Sequence, residues 1–468
     1  MAPIKAPKFV RENQWTGHEN PLWRRKDKKK VTILYNLFEP RKSLFMRAYF
    51  EKAGYKYRDL GRHKTEDVHY GREWGSRMMC NPTYFTSGSF IRALLEIEKN
   101  EGLTKEQIVE QFIFLGGGGD CTPCRYGMYP EEYMRVADDA GFKGFRVLVL
   151  NTELLQYQPA PKDAAFRFTS IFLFQFCIAF ILADFLHIGE CAVLPYAKDK
   201  EAARKTIDEC EGLIYKAFRS PLLIFTLPVA LFRAGKKIAS IPREKKNLPL
   251  IFITGEVFAN HANGDANYNL RNFIIDEGAE PLPAVFSHRG RYECWRKRSQ
   301  FYSNSKYAGT KKERRFWKKY CNMLTMQSDT VLFMFNFFDF FFNQKQFGGK
   351  GDLPDLDMLS ALAEPYYSEH IIGGEGNMEI GEAIYYHDKI DGFISIKPFG
   401  CMPSCGVSDG VQSKILSMYP DLNFLSIETS GDNEVSILSR VSMLLFKAKQ
   451  KRKGGKRYDL YRLTTCFL

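Results

Sequence analysis

The chain has 468 residues, of which 45% are hydrophobic and 26% are charged, as in an ordinary soluble protein with two or three domains. The odd number of cysteines, eleven, and a start without an apolar signal segment argue against a secreted disulfide framework and indicate reduced thiols in the cytoplasm. Lysine and arginine number 67 against 54 acidic residues, which gives a net charge of +13. Basic runs at 23–30 and 447–456 are typical of solvated tails, and we do not expect them to bind nucleic acid.

Two apolar segments are similar to membrane spans, but polar residues interrupt both. Segment 168–183 is shorter than the roughly 20 apolar residues that a span requires, and it contains Gln175 and is followed by Asp184. Segment 331–342 contains Asn336 and Asp339. We therefore predict that both segments are buried helices, and we expect no membrane partner.

Strand-like and helix-like segments alternate in the first half of the chain. The predicted elements are a strand at 31–37, a helix at 43–53 that ends at Gly54, a helix at 86–98, a strand at 111–115 that feeds a glycine loop, a helix at 131–140 and a strand at 145–150. This alternation predicts an α/β domain with a parallel sheet.

Only helical patterns follow from about 165 to 245, and the alternation then returns. The predicted elements of the second half are a strand at 249–254, a helix at 268–277, mostly helical sequence at 290–345, a helix at 378–386, a strand at 392–396, a helix at 410–418, a strand at 423–427 and a helix at 434–449. This pattern predicts a second α/β domain, on a plan that resembles the first.

The predicted fold class is α/β, with two Rossmann-like parallel-sheet domains and a helical bridging region. The expected organisation is a basic extension at 1–30, an N-terminal α/β domain at 31–164, a helical region at 165–245, a C-terminal α/β domain with a helical insertion at 246–450 and a basic tail at 451–468. Ligands of open α/β sheets bind beyond the carboxyl ends of the strands, so we expect the site in the cleft between the domains.

Two cysteine motifs follow predicted strands. The first is Cys121-x-x-Cys124, directly after a run of four glycines, and the second is Cys401-x-x-x-Cys405, in the segment Pro-Phe-Gly-Cys-Met-Pro-Ser. Cys80 is a third loop cysteine. Thiolates on tight loops can converge on a metal, and iron–sulfur clusters collect cysteines from short and long spacings in this way.

The cysteine spacing also permits other sites. A C-x-x-C pair fits a redox dithiol, although the four-glycine loop before it is wrong for a thioredoxin-like helix start. The second motif can complete a structural zinc site. The remaining internal cysteines lie in helical or apolar stretches, where they are expected to be small buried hydrophobes: Cys177, Cys191, Cys210, Cys294 and Cys321.

Glycines and glutamates near the strand ends are further site candidates. The glycine run lacks the Gly-Lys-Ser/Thr of a phosphate loop and the spacing of a dinucleotide fingerprint. We expect Gly117 and Gly118 to let the backbone approach a cluster or ligand closely, with a simple turn as the alternative. Glu256, after a predicted strand, and Glu375, in a glycine-rich turn, are candidate acid/base groups.

Three stretches together resemble one family, the 2-hydroxyacyl-CoA dehydratase components, and especially their relatives associated with CoA-enzyme activases. Residues 117–129 resemble the family's Gly-Gly-x-x-Gly-Pro-Cys-Arg-x-Gly segment, and 397–404 resemble its Pro-Phe-Gly-Cys-Met-Pro-Ser segment. Residues 254–257 are similar to its Gly-Glu-Ile/Val strand end. The order of the motifs and the two-domain layout agree with the family from about 31 to 447.

The resemblance implies a cubane 4Fe-4S cluster between the two α/β domains. Cys80, Cys121, Cys124 and Cys401 match ligand positions, and Cys405 is an additional cysteine that can replace or supplement one of them. The cofactor-binding positions that it implies are Gly117, Gly118, Arg125 and Ser404. A low-potential cluster of this kind requires thiolates, limited solvent and a nearby open site.

The resemblance also implies partners and a reaction class. An ATP-dependent activase would donate the electron, a ketyl radical would form on an acyl-CoA substrate, and water would leave the 2-hydroxyacyl thioester. We expect an oxygen-sensitive lyase or iron–sulfur reductase that forms a homodimer or heterodimer. The Asp-Cys-Thr context of Cys121 departs from the family pattern, and the chain has no activase module. A non-catalytic electron carrier and a zinc-stabilised binding protein are the alternatives.

Overall fold

The computed structural model describes residues 20–37, 39–119, 124–151, 162–351, 353–371 and 374–453. Within these ranges the strands are β1 Thr32–Tyr35, β2 Lys56–Asp59, β3 Phe112–Gly118, β4 Val147–Asn151, β5 Leu250–Gly255, β6 Glu280–Leu282, β7 Gly392–Pro398 and β8 Phe424–Thr429. They form two four-stranded sheets, in the orders β2-β1-β3-β4 and β6-β5-β7-β8, and every pairing is parallel. The α/β prediction is therefore confirmed, and both halves use the same strand order.

Sixteen α-helices accompany the strands in the described ranges. They are α1 Pro40–Lys52, α2 Thr65–Trp74, α3 Asn81–Glu101, α4 Lys105–Gln111, α5 Tyr129–Asp139, α6 Ser170–Val193, α7 Lys200–Arg219, α8 Leu223–Ala239, α9 Val257–His261, α10 Leu270–Asp276, α11 Phe286–Tyr307, α12 Lys311–Phe342, α13 Leu356–Ala363, α14 Gly376–Tyr386, α15 Asp409–Met418 and α16 Glu434–Lys453. Parallel strands require crossover connections, and these helices supply them.

The strand order fixes where a ligand can bind. The two central strands of each sheet pair directly with each other, β1 with β3 and β5 with β7. After the first strand of each pair the chain continues to one edge of the sheet, and after the second strand it continues to the other edge. Such a reversal leaves a crevice at the carboxyl ends of the strands. Gly119 follows β3, Glu256 follows β5, and the Cys401 segment follows β7. The strand order thus explains why these segments share one edge in each half.

Three of the four glycines after Leu115, Gly116 to Gly118, lie inside β3, whereas the sequence predicted that the run forms a loop. A Cβ at Gly116 would lie 2.6 Å from the Tyr133 ring, one at Gly117 would lie 2.3 Å from Tyr126 Oη, and one at Gly118 would lie 2.6 Å from Pro130 Cγ. These distances are shorter than non-bonded contacts of Cβ atoms in proteins, so a side chain at any of the three positions would clash. Glycine therefore allows Tyr126, Pro130 and Tyr133 to pack against the strand. The side chains of 126–133 occupy this space.

A helical layer formed by α6, α7, α8 and α12 holds the largest core cluster. The Phe185 ring of α6 stacks on Phe342 of α12 with centroids 5.0 Å apart, and a Cβ at Gly235 of α8 would lie 2.0 Å from the Phe342 carbonyl oxygen. In the described part of the chain one helix is long and apolar enough to cross a membrane, Ser170–Tyr196, and 67% of its apolar window is buried in the protein.

The second apolar segment is only half buried. Met334, Phe335, Phe338 and Phe342 are buried, but Phe333, Phe337 and Phe340 on the other face of α12 are exposed. The prediction of a buried helix is therefore correct for one face of this segment. A stretch that is apolar all round carries no sequence signal for which face is covered.

Candidate functional site

Cys80 lies at the end of the segment that precedes α3 and is 7% exposed. Its thiol is 3.0 Å from the Tyr129 hydroxyl at the start of α5 and 3.4 Å from the Thr83 hydroxyl. Asn81 and Pro82 form the first turn of the helix, where a proline is tolerated because the first amide groups have no intrahelical partner. The helix start therefore fixes the thiol beside the tyrosine.

The Cys401 loop lies directly against the Cys80 segment. The Asn81 amide donates a hydrogen bond of 2.9 Å to the Phe399 carbonyl oxygen. Gly400 has a φ of +76°, and a Cβ there would lie 3.4 Å from Cys80 Cα. Two segments that are distant in sequence, one between α2 and α3 and one after β7, therefore meet at this point. Cys401 is 7% exposed, and its thiol lies 3.4 Å from the Ser404 hydroxyl.

The first cysteine motif is only partly described. Cys121 is in the segment 120–123, outside the described residues. Cys124 is half-buried at the start of a short 3-10 turn, Arg125–Met128, that leads into α5. Burial raises the pKa of the Tyr129 phenol, and the nearby thiols of Cys80 and Cys124 raise it further. Cys80 and Cys124 thus both lie near one buried tyrosine.

Cys405 is in a different environment from Cys401. It belongs to a single π-helical turn, Ser404–Ser408. Such turns are rare in proteins, and many of those that occur are at functional sites. Its thiol donates a hydrogen bond of 3.3 Å to Glu428 of β8. Burial, together with that carboxylate, raises the pKa of the Cys405 thiol to about 11. Burial also raises the pKa of Cys401, and the carboxylates of Glu256 and Glu375 add to the effect.

Glu256 and Glu375 lie close together beside Cys401. The Glu256 carboxylate accepts a hydrogen bond of 2.9 Å from the Ala259 amide and so caps α9. Burial, followed by the Glu375 charge, raises the pKa of Glu256 to about 8. Arg289 of α11 binds Glu375 at 2.5 Å, and burial still raises the pKa of Glu375. The sequence prediction named both glutamates, and the structure brings them together.

Two further glutamates complete a buried group that the sequence analysis missed. Glu379 accepts hydrogen bonds of 3.1 Å from both Ser408 and Gln412, and Glu382 accepts one from the Thr254 hydroxyl. Burial raises the pKa of Glu379 to about 7 and that of Glu382 to about 8. The spacing of these residues could have indicated the group, because positions 375, 379 and 382 fall on one face at the start of α14, where Glu375 is the residue before the first turn.

The implied cofactor-binding positions have different surroundings. Ser404 is fully buried between the Cys401 thiol and Glu379. Arg125 is half-buried in the turn after Cys124. Gly117 and Gly118 leave room for Tyr126 and Pro130. Of these four positions, Ser404 is the one in direct contact with a cysteine and a glutamate.

Several buried polar atoms around these loops have no hydrogen-bond partner within the described chain. They include Asn81 Nδ2, Arg289 Nη1 and Tyr367 Oη. Burial raises the pKa of Tyr367, and the nearby Glu379, Glu375 and Cys401 raise it further. Buried polar groups are normally paired, and a bound ion or water is one common explanation for exceptions. Unpartnered donors near buried thiols are compatible with a bound anionic group.

No group of three or more histidine, cysteine, aspartate or glutamate side chains among the described residues is arranged to hold a metal ion. One candidate ligand, Cys121, lies outside those residues. No protein-family model matches the chain, and no curated protein matches its sequence.

Proposed function

We propose that this chain is an iron–sulfur protein of the dehydratase or reductase-component type. It receives low-potential electrons from an ATP-dependent activase and uses them for reductive or radical chemistry on a CoA thioester or a similar small substrate. The observation that carries the proposal is the contact between the Cys80 and Cys401 loops, with Cys80 bound to Tyr129 and Cys124 near the same tyrosine. The two sheets act as Rossmann-like halves with the cluster in the cleft between them.

In this proposal the cluster is held by Cys80, Cys121, Cys124 and Cys401. Cys405, whose thiol contacts Glu428, can replace or supplement one of these ligands. A bound 4Fe-4S cluster supplies single low-potential electrons. Because Cys401 is buried next to carboxyl groups, its thiol is protonated in the cluster-free protein. Cluster binding therefore releases protons, as thiolate ligation generally does.

The buried glutamates favour a catalyst over a simple electron carrier. Burial raises the pKa of Glu256 to about 8, so this carboxyl group can donate a proton at neutral pH and act as a general acid. Glu375, which Arg289 holds in place, is the adjacent carboxyl group. Departure of a hydroxyl group as water requires a proton, and the raised pKa of Glu256 supports its assignment as the donor. An electron carrier has no need of such a group.

The direct test is purification of the full chain without oxygen, followed by measurement of iron, sulfide and zinc per chain and of the visible spectrum. We expect iron with matching sulfide and a broad absorption band that bleaches on reduction. A protein with one tightly bound zinc and no iron would refute the proposal and favour a structural role for the cysteines.

A further inference from the structure

Two neighbouring helices of the helical layer, α8 and α12, have one face on α6 and the opposite face in solvent. A Cβ at Gly189 of α6 would lie 3.1 Å from Ile238 of α8. The Phe185 ring of α6 lies 5.0 Å from the Phe335 ring of α12. Because α8 also contacts the end of α12 directly, the faces of both helices away from α6 are on the same side of the protein.

The solvent face of each helix carries a stripe of apolar side chains. The exposed residues of α8 at steps of three and four are Phe225, Val229 and Phe232, and the Lys236 ammonium lies 4.5 Å from the Phe232 ring centroid. The exposed apolar residues of α12 are Met326, Phe333, Phe337 and Phe340, at steps of seven, four and three. These spacings place each set on one helix face, opposite the buried residues at 227, 230, 231 and 234 and at 334, 335, 338 and 342.

The degree of exposure distinguishes this face from an ordinary surface. Phe333 and Phe340 are 68% and 79% exposed, and the apolar residues of both helices adjoin one another. Scattered apolar residues are normal on a protein surface, but a contiguous patch of large apolar side chains marks a site of interaction. The face therefore requires a partner.

The stripe on α12 begins with cations. Lys312, Arg315 and Lys319 continue it toward the start of the helix at steps of three and four, and Asn322 joins them to Met326. At 1.5 Å per residue, the stripe from 312 to 340 is about 42 Å long. Its first part is thus cationic and its second part is apolar.

The whole start of α12 is rich in unpaired cations. Residues 311–319 contain one acidic residue, Glu313, which caps the helix together with Thr310. Within the described ranges no ion pair involves the exposed basic residues of this segment, which are Lys311, Lys312, Arg314, Arg315, Lys318 and Lys319. The segment therefore presents a concentrated positive charge to a partner.

This charge selects among the possible partners. A second copy of the chain would bring the same cations, and the exposed acidic residues of α12, Glu313 and Asp329, are too few to balance them. The described part of α8 contains no acidic residue at all. An anionic lipid bilayer supplies both requirements, negative headgroups for the cations and hydrocarbon for the aromatic rings.

The polar residues that argue against a membrane span do not interrupt this stripe. Asp339 lies beside the buried face, where its carboxylate accepts a hydrogen bond of 3.1 Å from the Gln344 amide. Asn336 lies at the margin of the exposed face. A spanning helix needs a sustained apolar stretch, whereas a helix that lies in the plane of the interface needs only one apolar face.

We propose that α8 and α12 together bind the surface of an anionic membrane. Phe333, Phe337 and Phe340 insert at the boundary between headgroups and acyl chains, and the cations of 311–319 contact the headgroups. The sequence analysis expected no membrane partner, and this inference replaces that expectation with reversible attachment. It does not depend on the iron–sulfur proposal, because no residue of the cysteine loops belongs to this face.

The test is sedimentation of the anaerobically purified full chain with vesicles of phosphatidylcholine alone and with vesicles of phosphatidylcholine and phosphatidylglycerol in equal parts. We expect binding to the mixed vesicles that weakens as salt is added, and much weaker binding to the neutral ones. The double variant Phe333→Ser/Phe340→Ser should lower the affinity for mixed vesicles at least about tenfold, because two aromatic rings no longer leave water. Phe446→Ser, at an exposed position of α16, is the matched control and should leave the affinity unchanged.

A second pair of variants tests the cations. Arg315→Gln/Lys319→Gln should lower the affinity for mixed vesicles about tenfold or more. Lys414→Gln/Lys447→Gln removes the same net charge from exposed positions of α15 and α16 and should have little effect. Equal losses in these two double variants would assign the binding to overall charge and overturn the proposal.

Three further results would overturn it. They are no sedimentation with the mixed vesicles, an unchanged affinity in the Phe333→Ser/Phe340→Ser variant, and a dimer in solution that this variant converts to a monomer while neither protein binds vesicles. The last result would assign the face to a second copy of the chain. Denaturant unfolding identical to that of the wild type shows that each variant is folded, since all the substituted side chains are exposed.

Discussion

The amide nitrogen of Asn81 lies 2.9 Å from the carbonyl oxygen of Phe399, and this backbone hydrogen bond joins the loop of Cys80 to the loop of Cys401. Each loop belongs to a different half of the protein, and each carries a buried cysteine. A backbone bond holds the two segments together whatever the identity of the neighbouring side chains.

Replacement of Cys401 by serine should sharply reduce the iron bound per chain. Serine keeps the size of the side chain but is a poor ligand for a soft iron–sulfur cluster, which prefers thiolates. The measurement is iron and sulfide content after anaerobic purification. Cys210→Ser is the matched control, because Cys210 is buried in α7 with the Ala234 carbonyl oxygen 3.7 Å away. Wild-type iron in the Cys401 variant would contradict a cluster between the two halves.

Glu382→Gln should make the stability of the protein less dependent on pH. Burial raises the pKa of Glu382 from 4.5 to about 8, so the folded protein holds this proton more tightly than the unfolded chain does. The stability that results is complete below pH 4.5 and is lost as the pH rises toward 8. A pKa shift of this size corresponds to a loss of roughly 3 to 5 kcal/mol in the free energy of unfolding.

Glutamine keeps the shape of the side chain but does not ionise, so the variant should gain stability relative to the wild type above about pH 7. Denaturant unfolding at several pH values between 5 and 9 measures this. Identical slopes of stability against pH in the two proteins would show that Glu382 does not titrate in this range.

Gly255→Ala should destabilise the protein by more than about 3 kcal/mol. Gly255 has a φ of +128°, and a Cβ there would lie 1.9 Å from the Ile396 carbonyl oxygen, so the new methyl group would separate β5 from β7 at the site. Gly278→Ala is the matched control. It also has a positive φ, +75°, but there is open space around it, and it should cost only about 1 kcal/mol. Equal losses by denaturant unfolding would contradict the close approach at β7.

Arg289→Gln should destabilise the protein most at alkaline pH. Arg289 contacts Glu375 at 2.5 Å and Glu293 at 2.6 Å, and its removal leaves two buried carboxylates without this cation. Breaking a buried ion pair typically costs about 3 to 5 kcal/mol. The cost should shrink at low pH, where the carboxyl groups are protonated. A pH-independent loss would indicate that packing of the arginine, rather than its charge, supports the site.

The sequence predicted the central strands and most long helices because each of these elements carries a run of buried residues. β5 and β7 are buried at every position, and apolar runs with no alternation are typical of parallel strands covered on both faces. It missed the edge strands β2 and β6. β2 reads Lys-Tyr-Arg-Asp, and half of it is exposed, so it has no apolar run to detect. Its pairing with β1 is decided by the rest of the sheet.

The site was predicted in part for a similar reason. Cysteines and a Gly-Glu strand end are visible as local patterns, and Glu256 and Glu375 are indeed neighbours in the structure. Arg289, however, reaches Glu375 from a helix 86 residues earlier in the chain, and no local pattern marks it. The proximity of Cys80 to Cys401 is likewise a property of the packing of two sheets.

The meeting of the Cys80 and Cys401 loops also sets an order of events during synthesis. The two cysteines are 401 − 80 = 321 residues apart, so at roughly 5 to 20 residues per second the ribosome needs about 16 to 64 seconds to pass from one to the other. During that interval the first half has no partner for the Asn81 amide, and Cys80 lacks the loop that will cover it. Any group that requires both loops can therefore be inserted only after residue 401 has been made, and a chain that stops earlier leaves Cys80 without the Cys401 segment.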